Sequence, residues 1–440
     1  MVRDAQGYDL TGATTEAARA TDAGVRAYCL AYGDPTAHFD AALAAAPDCA
    51  MAALGKAWVL ALSNDPAGVT TARTSAERIR AMRLNEREGA HLAALEHAAA
   101  GRWASAAAVL DRHLMSYPFD LMAHQTVMRL DGFLGRFHLT AGRTTRALPL
   151  WSQEQPGYGI LYSFLGFGLE ELGDYARAEA VSRRAAELEP HGYWPHHAMS
   201  HVLEMTGRPR EGLQWMAERE PLWSGKSNSN RVHIHWHKAL FHVELGENEA
   251  ALALLDGPIL STLRPVGTSL CNATALLWRL EMSGIEADER WQDYARLWQG
   301  RANGATSVFN DIHAALTLLR AGDDDRFAKL RSGMQATASA GTEQSETWRR
   351  IGLPVVDGLS AFTRGDYAQA VGHLLPARFS LAHMGGSHAQ RDVIDWTLIE
   401  AALRARLRDV AIALANERTA LRPESVPNRH FLAAAEQCAA

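Results

Sequence analysis

Apolar residues recur along most of the chain at intervals of three and four, the spacing that lines one face of an α-helix. The runs MAALGKAWVLALS (51–63) and AAAGRWASAAAVLDRHLMSYP (98–118) show it plainly. A mark repeats between such runs: a Leu or an aromatic, a short polar linker holding a glycine, then an Ala-rich helix ending near a proline. The glycines are Gly101, Gly135, Gly173, Gly207, Gly246, Gly284, Gly322 and Gly365, separated by 34, 38, 34, 39, 38, 38 and 43 residues. A period of 34 with small insertions is that of tetratricopeptide helix–turn–helix repeats. The fullest copy is YSFLGFGLEELGDYARAEAVSRRAAELEP (162–190). It puts Leu165 and Gly166 in a first helix, Gly173 in the turn, Ala178 and Ala185 in the second helix and Pro190 at its end. LSAFTRGDYAQAVGHLLPAR (359–378) is a second, partial copy.

No window sustains alternating β-branched residues, so almost no strand is expected. The pattern predicts an all-α protein, an α-solenoid of tetratricopeptide-like repeats running through 1–440. Irregular helices are expected over 1–85, the clearest repeats over 86–378 and capping helices over 386–440. Expected breaks in regularity are 221–231, 261–271, 300–307 and 380–388.

Composition narrows the function classes. With 47% apolar and 21% charged residues, the 440-residue chain can build a full core. Net charge is −6 and no basic block occurs, which argues against a nucleic-acid footprint. The four cysteines show no C-x-x-C spacing, and no signal peptide or membrane span is visible, so a cytoplasmic location is expected. The apolar C-terminal stretch RHFLAAAEQCAA (429–440) is expected to dock on the array or on a second copy, as a homodimer.

Candidate chemistry crowds into 196–244, which reads HHAMSHVLEMTG, a helical run, then NRVHIHWHKALFHVELG. At about 100° per residue, His197, His201 and Glu204 share one helix face, and His233 and His237 share another. One helical turn between two imidazoles is a spacing that can present both to a metal. P-loop, dinucleotide, H-E-x-x-H and nucleophile-elbow motifs are all absent.

Four segments in order, HAMSHVLEM (197–205), HIHWHKAL (233–240), VFNDIHAAL (308–316) and GGSHAQRDV (385–393), resemble the tetratricopeptide repeat protein 38 family. The resemblance runs over nearly the whole length and implies the same repeat fold, but little about activity. His196, His235 and His242 fall outside the family pattern.

Counting back from each turn glycine puts His197, His201 and Glu204, then His233 and His237, then Asn310, Asp311 and His313, all in first helices. First helices line the concave groove of such arrays, so these clusters are expected to converge there and to support the core only marginally. The candidate catalytic residues are His197, His201, Glu204, His237, Asp311 and His313. A divalent metal such as zinc has His197, His201, Glu204, His233 and His237 as candidate ligands. Trp236, Asn310, Gln390, Arg391 and Asp392 are candidate contacts to substrate, Arg391 as a clamp on a carboxylate or phosphate. At i, i+2 Asp311 and His313 point to different sides of a helix and are expected to meet partners elsewhere. Two functions remain open: an enzyme acting on a small polar molecule by hydrolytic or acid/base chemistry, or a scaffold for a peptide or partner protein in the groove. Clustered imidazoles tilt the reading toward the enzyme.

Overall fold

The computed structural model describes residues 2–263 and 266–438, so the expected break at 261–271 and the tail at 429–440 each fall partly outside the described residues. Helices dominate. The strands among the described residues are Val2–Arg3 and Asp9–Leu10, paired antiparallel in a short N-terminal hairpin.

The repeating turns explain why the helices come in pairs. All eight predicted turn glycines adopt φ between 65° and 93°, the left-handed region open to glycine without a Cβ penalty. Each follows a helix and closes it in the same way. After the helix Tyr158–Glu171, the Gly173 amide donates to the Glu170 carbonyl and the Asp174 amide to the Leu169 carbonyl, a Schellman closure. Equivalent bonds run from Arg102 to His97, Arg136 to Asp131, Arg208 to Leu203, Glu247 to His242, Ile285 to Leu280, Asp323 to Leu318 and Asp366 to Ala361. Two further turns, not visible as glycines, have Ala31 at φ 51° with the Tyr32 amide on the Ala27 carbonyl, and Arg406 at φ 56° with the Leu407 amide on the Ala402 carbonyl.

Small residues set the approach of paired helices. A Cβ placed on Gly166 would lie 2.4 Å from Ser182 Oγ on the next helix, Tyr175–Leu188, and Ala178 and Ala185 are fully buried on that helix. Substituting larger side chains there would force the hairpin open.

The chain forms two compact units. The first comprises Met1–Met199 with Pro221–Arg231, and the second Ser200–Glu220 with Val232–Ala440. In the first, consecutive helices from Thr15–Leu30 to Tyr175–Leu188 stack as antiparallel hairpins. Its N-terminal hairpin is tied to the helix Glu86–Ala99: Glu88 Oε1 accepts from the Thr11 amide, and Asn85 Nδ2 donates to the Asp9 carbonyl.

In the second unit the first helices Gly267–Met282, Val308–Arg320, Leu353–Thr363 and His388–Arg404 pack side by side. Gly267–Met282 also packs directly on His388–Arg404, where Trp278 Nε1 donates to Thr397 Oγ1 at 2.8 Å and the Trp278 ring meets Phe362 edge-on. Large side chains therefore fill the inner face of this stack, and its first helices do not border an open groove as the repeat register suggests. Of the predicted breaks, 300–307 is a loop, 380–388 holds a short 3-10 turn at Leu381–Met384 before the next helix begins at His388, and residues 221–223 still belong to the helix Pro209–Trp223. The closing helix Val426–Gln437 docks on the stack, with Phe431 buried edge-on to Trp396.

A histidine cluster and a polar cavity in the second unit

Three imidazoles of the second unit stand on two helices that flank the Gly207 turn and its following helix. His201 lies on Tyr193–Met205, and His233 and His237 lie one turn apart on Arg231–Glu244. Their ligand-capable nitrogens all lie within 4.8 Å of one another. The His201 and His237 rings meet edge-on at 4.6 Å, and His233 and His237 at 4.7 Å. His201 and His237 are fully buried, and His233 is half-buried. Burial holds both buried rings neutral: His201 is pushed well below the usual imidazole range, helped by His237 and His233, and His237 down to about 3.

The far sides of the His237 and His233 rings are wired to a second layer. His237 Nδ1 meets Glu204 Oε2 at 3.2 Å, and His233 Nδ1 meets Asn272 Oδ1 at 3.0 Å. The same Asn272 oxygen accepts from Gln390 Nε2 at 3.3 Å. Gln390 is fixed in turn, because its Oε1 accepts from the Ser387 amide in the capping box that opens the helix His388–Arg404. The two Nε2 atoms, of His237 and His233, are left facing each other at 3.2 Å.

Glu204 is the link to solvent. It is buried on three counts of its surroundings: His237, the guanidinium of Arg422 at 3.6 Å, and the ion-pair layer beyond. Arg422 also meets Glu244 at 3.3 Å and Asp392 at 3.5 Å, and Asp392 pairs with Arg418 at 2.6 Å. Burial pushes the Glu204 carboxyl up to about 7 while Arg422 pulls it down; Asp392, held by Arg418 and Arg422, stays well below the usual carboxylate range. A cavity of about 290 Å³ opens against this layer, with Glu204, His388, Arg391, Asp392 and Arg422 in its wall. At its mouth stand Phe379 and Leu421, 81% and 66% exposed.

The other candidates are placed as follows. His197 precedes His201 by one turn of the same helix and falls in the first unit, where its ring stacks on Tyr193 and touches Phe167 and Trp194. Trp236 is a core residue, fully buried and stacked on His233, so it offers no surface to a ligand. Gln390 serves Asn272, as described; Arg391 donates to the Gly386 carbonyl and lines the cavity with Asp392. The Asn310, Asp311 and His313 cluster is buried in the core. Asn310 packs on Gly267, where a Cβ would fall 2.1 Å from its amide. Asp311 accepts from the Gly304 amide and Trp348 Nε1, anchoring the 300–307 loop, and His313 Nδ1 donates to the Phe309 carbonyl. The expectation that these polar groups support the core only marginally is overturned by their burial: the inner face they occupy is packed.

Asn272, Arg422, Arg279 and Glu244 complete the second layer without a sequence motif to mark them. Arg422 in particular lies beyond the last helix of the repeat pattern, and only the fold returns it to Glu204.

A second group in the first unit, His91, His113 and Asp120, also brings metal-type donors together. There Asp120 Oδ2 accepts from Arg87 at 2.6 Å and meets His91 and His113 at 3.0 and 3.1 Å. Trp58 Nε1 donates to His91 Nδ1, so the proton of His91 sits on Nε2 and goes to Asp120. Arg87 continues to Asp4 of the N-terminal hairpin at 2.5 Å. This group is a hydrogen-bonded hub that ties three helices to the hairpin.

No protein-family model matches the sequence. Among solved structures the chain is similar to the human IFIT1 dimer with PPP-AAAA, at 13% identity and TM-score 0.43, covering 95% of this chain and 94% of that one. The human IFIT1 dimer with m7Gppp-AAAA matches at 15% identity and TM-score 0.40, covering 96% and 95%. Among the described residues no helix is long and apolar enough to cross a membrane.

Proposed function

We propose that the second unit binds a small polar molecule in the cavity beside Glu204 and acts on it by hydrolytic or acid/base chemistry, with a divalent metal such as zinc at the histidine cluster as candidate cofactor. The observation that carries this reading is the double position of Glu204, whose carboxyl group lines the cavity and also meets His237 Nδ1 at 3.2 Å. A proton accepted from a ligand or water in the cavity thus has a buried carboxylate to receive it and an imidazole behind that carboxylate. The neutral rings of His201 and His237 suit metal ligation, since a ligating imidazole must be unprotonated. His197, one turn before His201, is the further donor in the spacing pattern. Arg391 and Asp392 in the cavity wall are the candidate contacts to polar groups of the substrate.

The second reading is a non-catalytic scaffold for a peptide or partner protein, supported by the repeat fold itself, which commonly serves binding. Under either reading, membership of the tetratricopeptide repeat protein 38 family is supported by the four quoted motifs, and a homodimer by the apolar C-terminal stretch. The expected exclusion of nucleic acid rests on the net charge of −6 and the absence of a basic block, and the IFIT1 structures hold PPP-AAAA and m7Gppp-AAAA.

A panel of carboxylic esters, phosphate esters and amides tests the enzyme reading. Glu204→Gln and His237→Ala are expected to lower turnover of a responding member by roughly 100-fold or more, the usual weight of a general acid or base. Turnover unchanged in both variants, or absent from the whole panel with wild-type protein and added zinc, would instead favour the scaffold.

A further inference from the structure

We infer that the cavity of the second unit takes a small zwitterion with an apolar side group, of the class of an aromatic or large aliphatic α-amino acid. Arg422 receives its carboxylate, Asp395 its ammonium, and Phe379 and Leu421 its apolar group. The inference deepens the reading above and rests on it for the location of the site, naming the class of molecule bound there.

One wall of the cavity is a single face of the helix His388–Arg404. His388, Arg391, Asp392 and Asp395 line it, and their spacing along the helix puts them on a common face. The ends of two other helices contribute as well: Arg378 and Phe379 close Tyr367–Arg378, and Leu421 and Arg422 close Arg408–Leu421. The guanidiniums in the wall belong to Arg378, Arg391 and Arg422, and the carboxyl groups to Glu204, Asp392 and Asp395. Their formal charges cancel. A wall of both signs in equal number is complementary to a molecule that carries both, rather than to a bare anion or a bare cation.

The charges differ in how firmly they are held. Asp392 is engaged by short bonds, from Arg418 at 2.6 and 3.2 Å. Arg378 bridges Asp395 at 3.1 Å and Glu417 at 2.7 Å. Arg422 is held more loosely. Its carboxylate neighbours Glu244, Asp392 and Glu204 stand 3.3, 3.5 and 3.6 Å away. A charge-assisted hydrogen bond is shorter, about 2.7–2.9 Å. A guanidinium has five N–H donors in a planar fork, so this one retains donors that a ligand carboxylate can take two at a time. Asp395 offers the complement. Its Oδ1 accepts from Arg378, and its Oδ2 has no hydrogen-bond partner among the described residues. Asp395 follows Asp392, the neighbour of Arg422, by three residues, a rise of about 4.5 Å along the helix. The donor for a carboxylate and the acceptor for an ammonium are thus close enough for the adjoining charges of an α-amino acid to reach both.

Size and the mouth of the cavity supply the rest. A cavity of about 150 Å³ holds benzene. The volume here is about 290 Å³, room for roughly a dozen heavy atoms on that scale, which is the size of phenylalanine. Phe379 and Leu421 are the two most exposed large apolar side chains among the described residues, and both stand at this one mouth. An apolar side group laid against them removes all three surfaces from water.

Isothermal titration of the full chain with L-phenylalanine, L-leucine and L-tryptophan tests the assignment. Three comparators each lack one part: phenylpropanoate the ammonium, phenylethylamine the carboxylate and glycine the apolar group. At least one of the three apolar amino acids is expected to bind, and each comparator to bind at least roughly 10-fold more weakly, because it leaves one recognition group unmatched. Asp395→Asn should weaken amino-acid binding by a similar factor and leave phenylpropanoate unchanged, a split that a merely structural role would not produce. Phe379→Ala, at an exposed position, should weaken the amino acid several-fold. Arg422→Gln should weaken amino acid and phenylpropanoate together. Circular dichroism and melting separate lost affinity from lost fold, and the other two variants keep the test open should Arg422→Gln not fold. No binding of any of the three amino acids at millimolar concentration would overturn the inference. Phenylpropanoate bound as tightly as phenylalanine would overturn the zwitterion in favour of a simple anion. Affinity unchanged in both Asp395→Asn and Phe379→Ala would put the binding elsewhere and overturn it too. Amino-acid binding where no panel substrate is turned over would sink the enzymatic reading and leave this one standing; turnover of a panel member that saturating amino acid does not inhibit would do the reverse.

Discussion

Single residues in this protein do their work through who holds the other end of them. Asn272 and Trp58 illustrate it: one accepts from His233 Nδ1, the other donates to His91 Nδ1 and so places that ring's proton on Nε2. Asp120 is the most committed of the buried carboxylates. It takes Arg87, His91 and His113 on one oxygen and caps the helix Leu121–Phe133 with the other, through the Ala123 amide. Removing one partner of a buried ion pair leaves the other charge uncompensated, at a cost of about 3–5 kcal/mol. Asp120→Ala is accordingly expected to destabilise the chain by roughly that amount, and Arg87→Met with Asp120→Ala together by less than the two single losses summed, because each single variant leaves the partner's charge buried. Urea unfolding of the single and double variants measures this; strict additivity would show that the aspartate acts through packing rather than charge.

At the scale of the helical hairpin, one turn recurs ten times among the described residues with one hydrogen-bond pattern, eight of them with glycine at the left-handed position. The exceptions are Ala31 at φ 51°, after the helix Thr15–Leu30, and Arg406 at φ 56°, after the helix His388–Arg404. A side chain in this region is strained by about 1 kcal/mol or somewhat more relative to glycine. Arg406→Gly is therefore expected to stabilise the chain by roughly 0.5–1 kcal/mol, net of the entropy glycine adds to the unfolded state. Gly173→Ala should destabilise by a similar amount, its φ being 80°. Thermal melts would check the pair, and a lower melting temperature for Arg406→Gly would show that the arginine side chain contributes more than its backbone conformation costs. The absence of a glycine at position 406 is also why the 34-residue count stops one hairpin short of the last helices.

For the whole molecule, buried titrating groups pull stability in opposite directions near neutrality. His124 and His313 are pushed down to about 4, so the unfolded chain binds their protons first and stability falls as pH drops below about 6.5. Asp311 is pushed up to about 7 and Asp131 to about 6, so the folded chain binds those protons first and stability rises over much the same range. The two sets oppose one another, and a near plateau is expected from about pH 7 to about pH 4. Below that, Asp120 and Asp392 decide. Both carboxyls are held well below their ordinary value by arginines, so the unfolded chain takes up protons that the folded chain refuses. The stability they add above the usual carboxylate range is lost as pH falls through their folded values. Urea midpoints measured across this range should stay level and then drop steeply; a steady decline starting at neutrality would contradict the balance.

The sequence by itself determined the repeat: apolar spacing and turn glycines are local properties, and a helix closed by a left-handed glycine needs nothing from the rest of the chain. It also placed His201 with Glu204, and His233 with His237, on common faces, because a helix has one period. What it could not carry was which faces meet. The register suggested an open groove, but Trp278, Phe362 and Thr397 pack the first helices of the second unit against one another and bury Asn310, Asp311 and His313 in the core. Gln390, Asn272 and His233 are brought into one hydrogen-bonded line across 118 and 39 residues of chain. Arg422 reaches Glu204 from beyond the repeats. Tautomers, buried charges and the cavity beside them depend on these long-range contacts, and contacts between distant helices are set by side-chain packing in three dimensions, for which a periodic pattern holds no record.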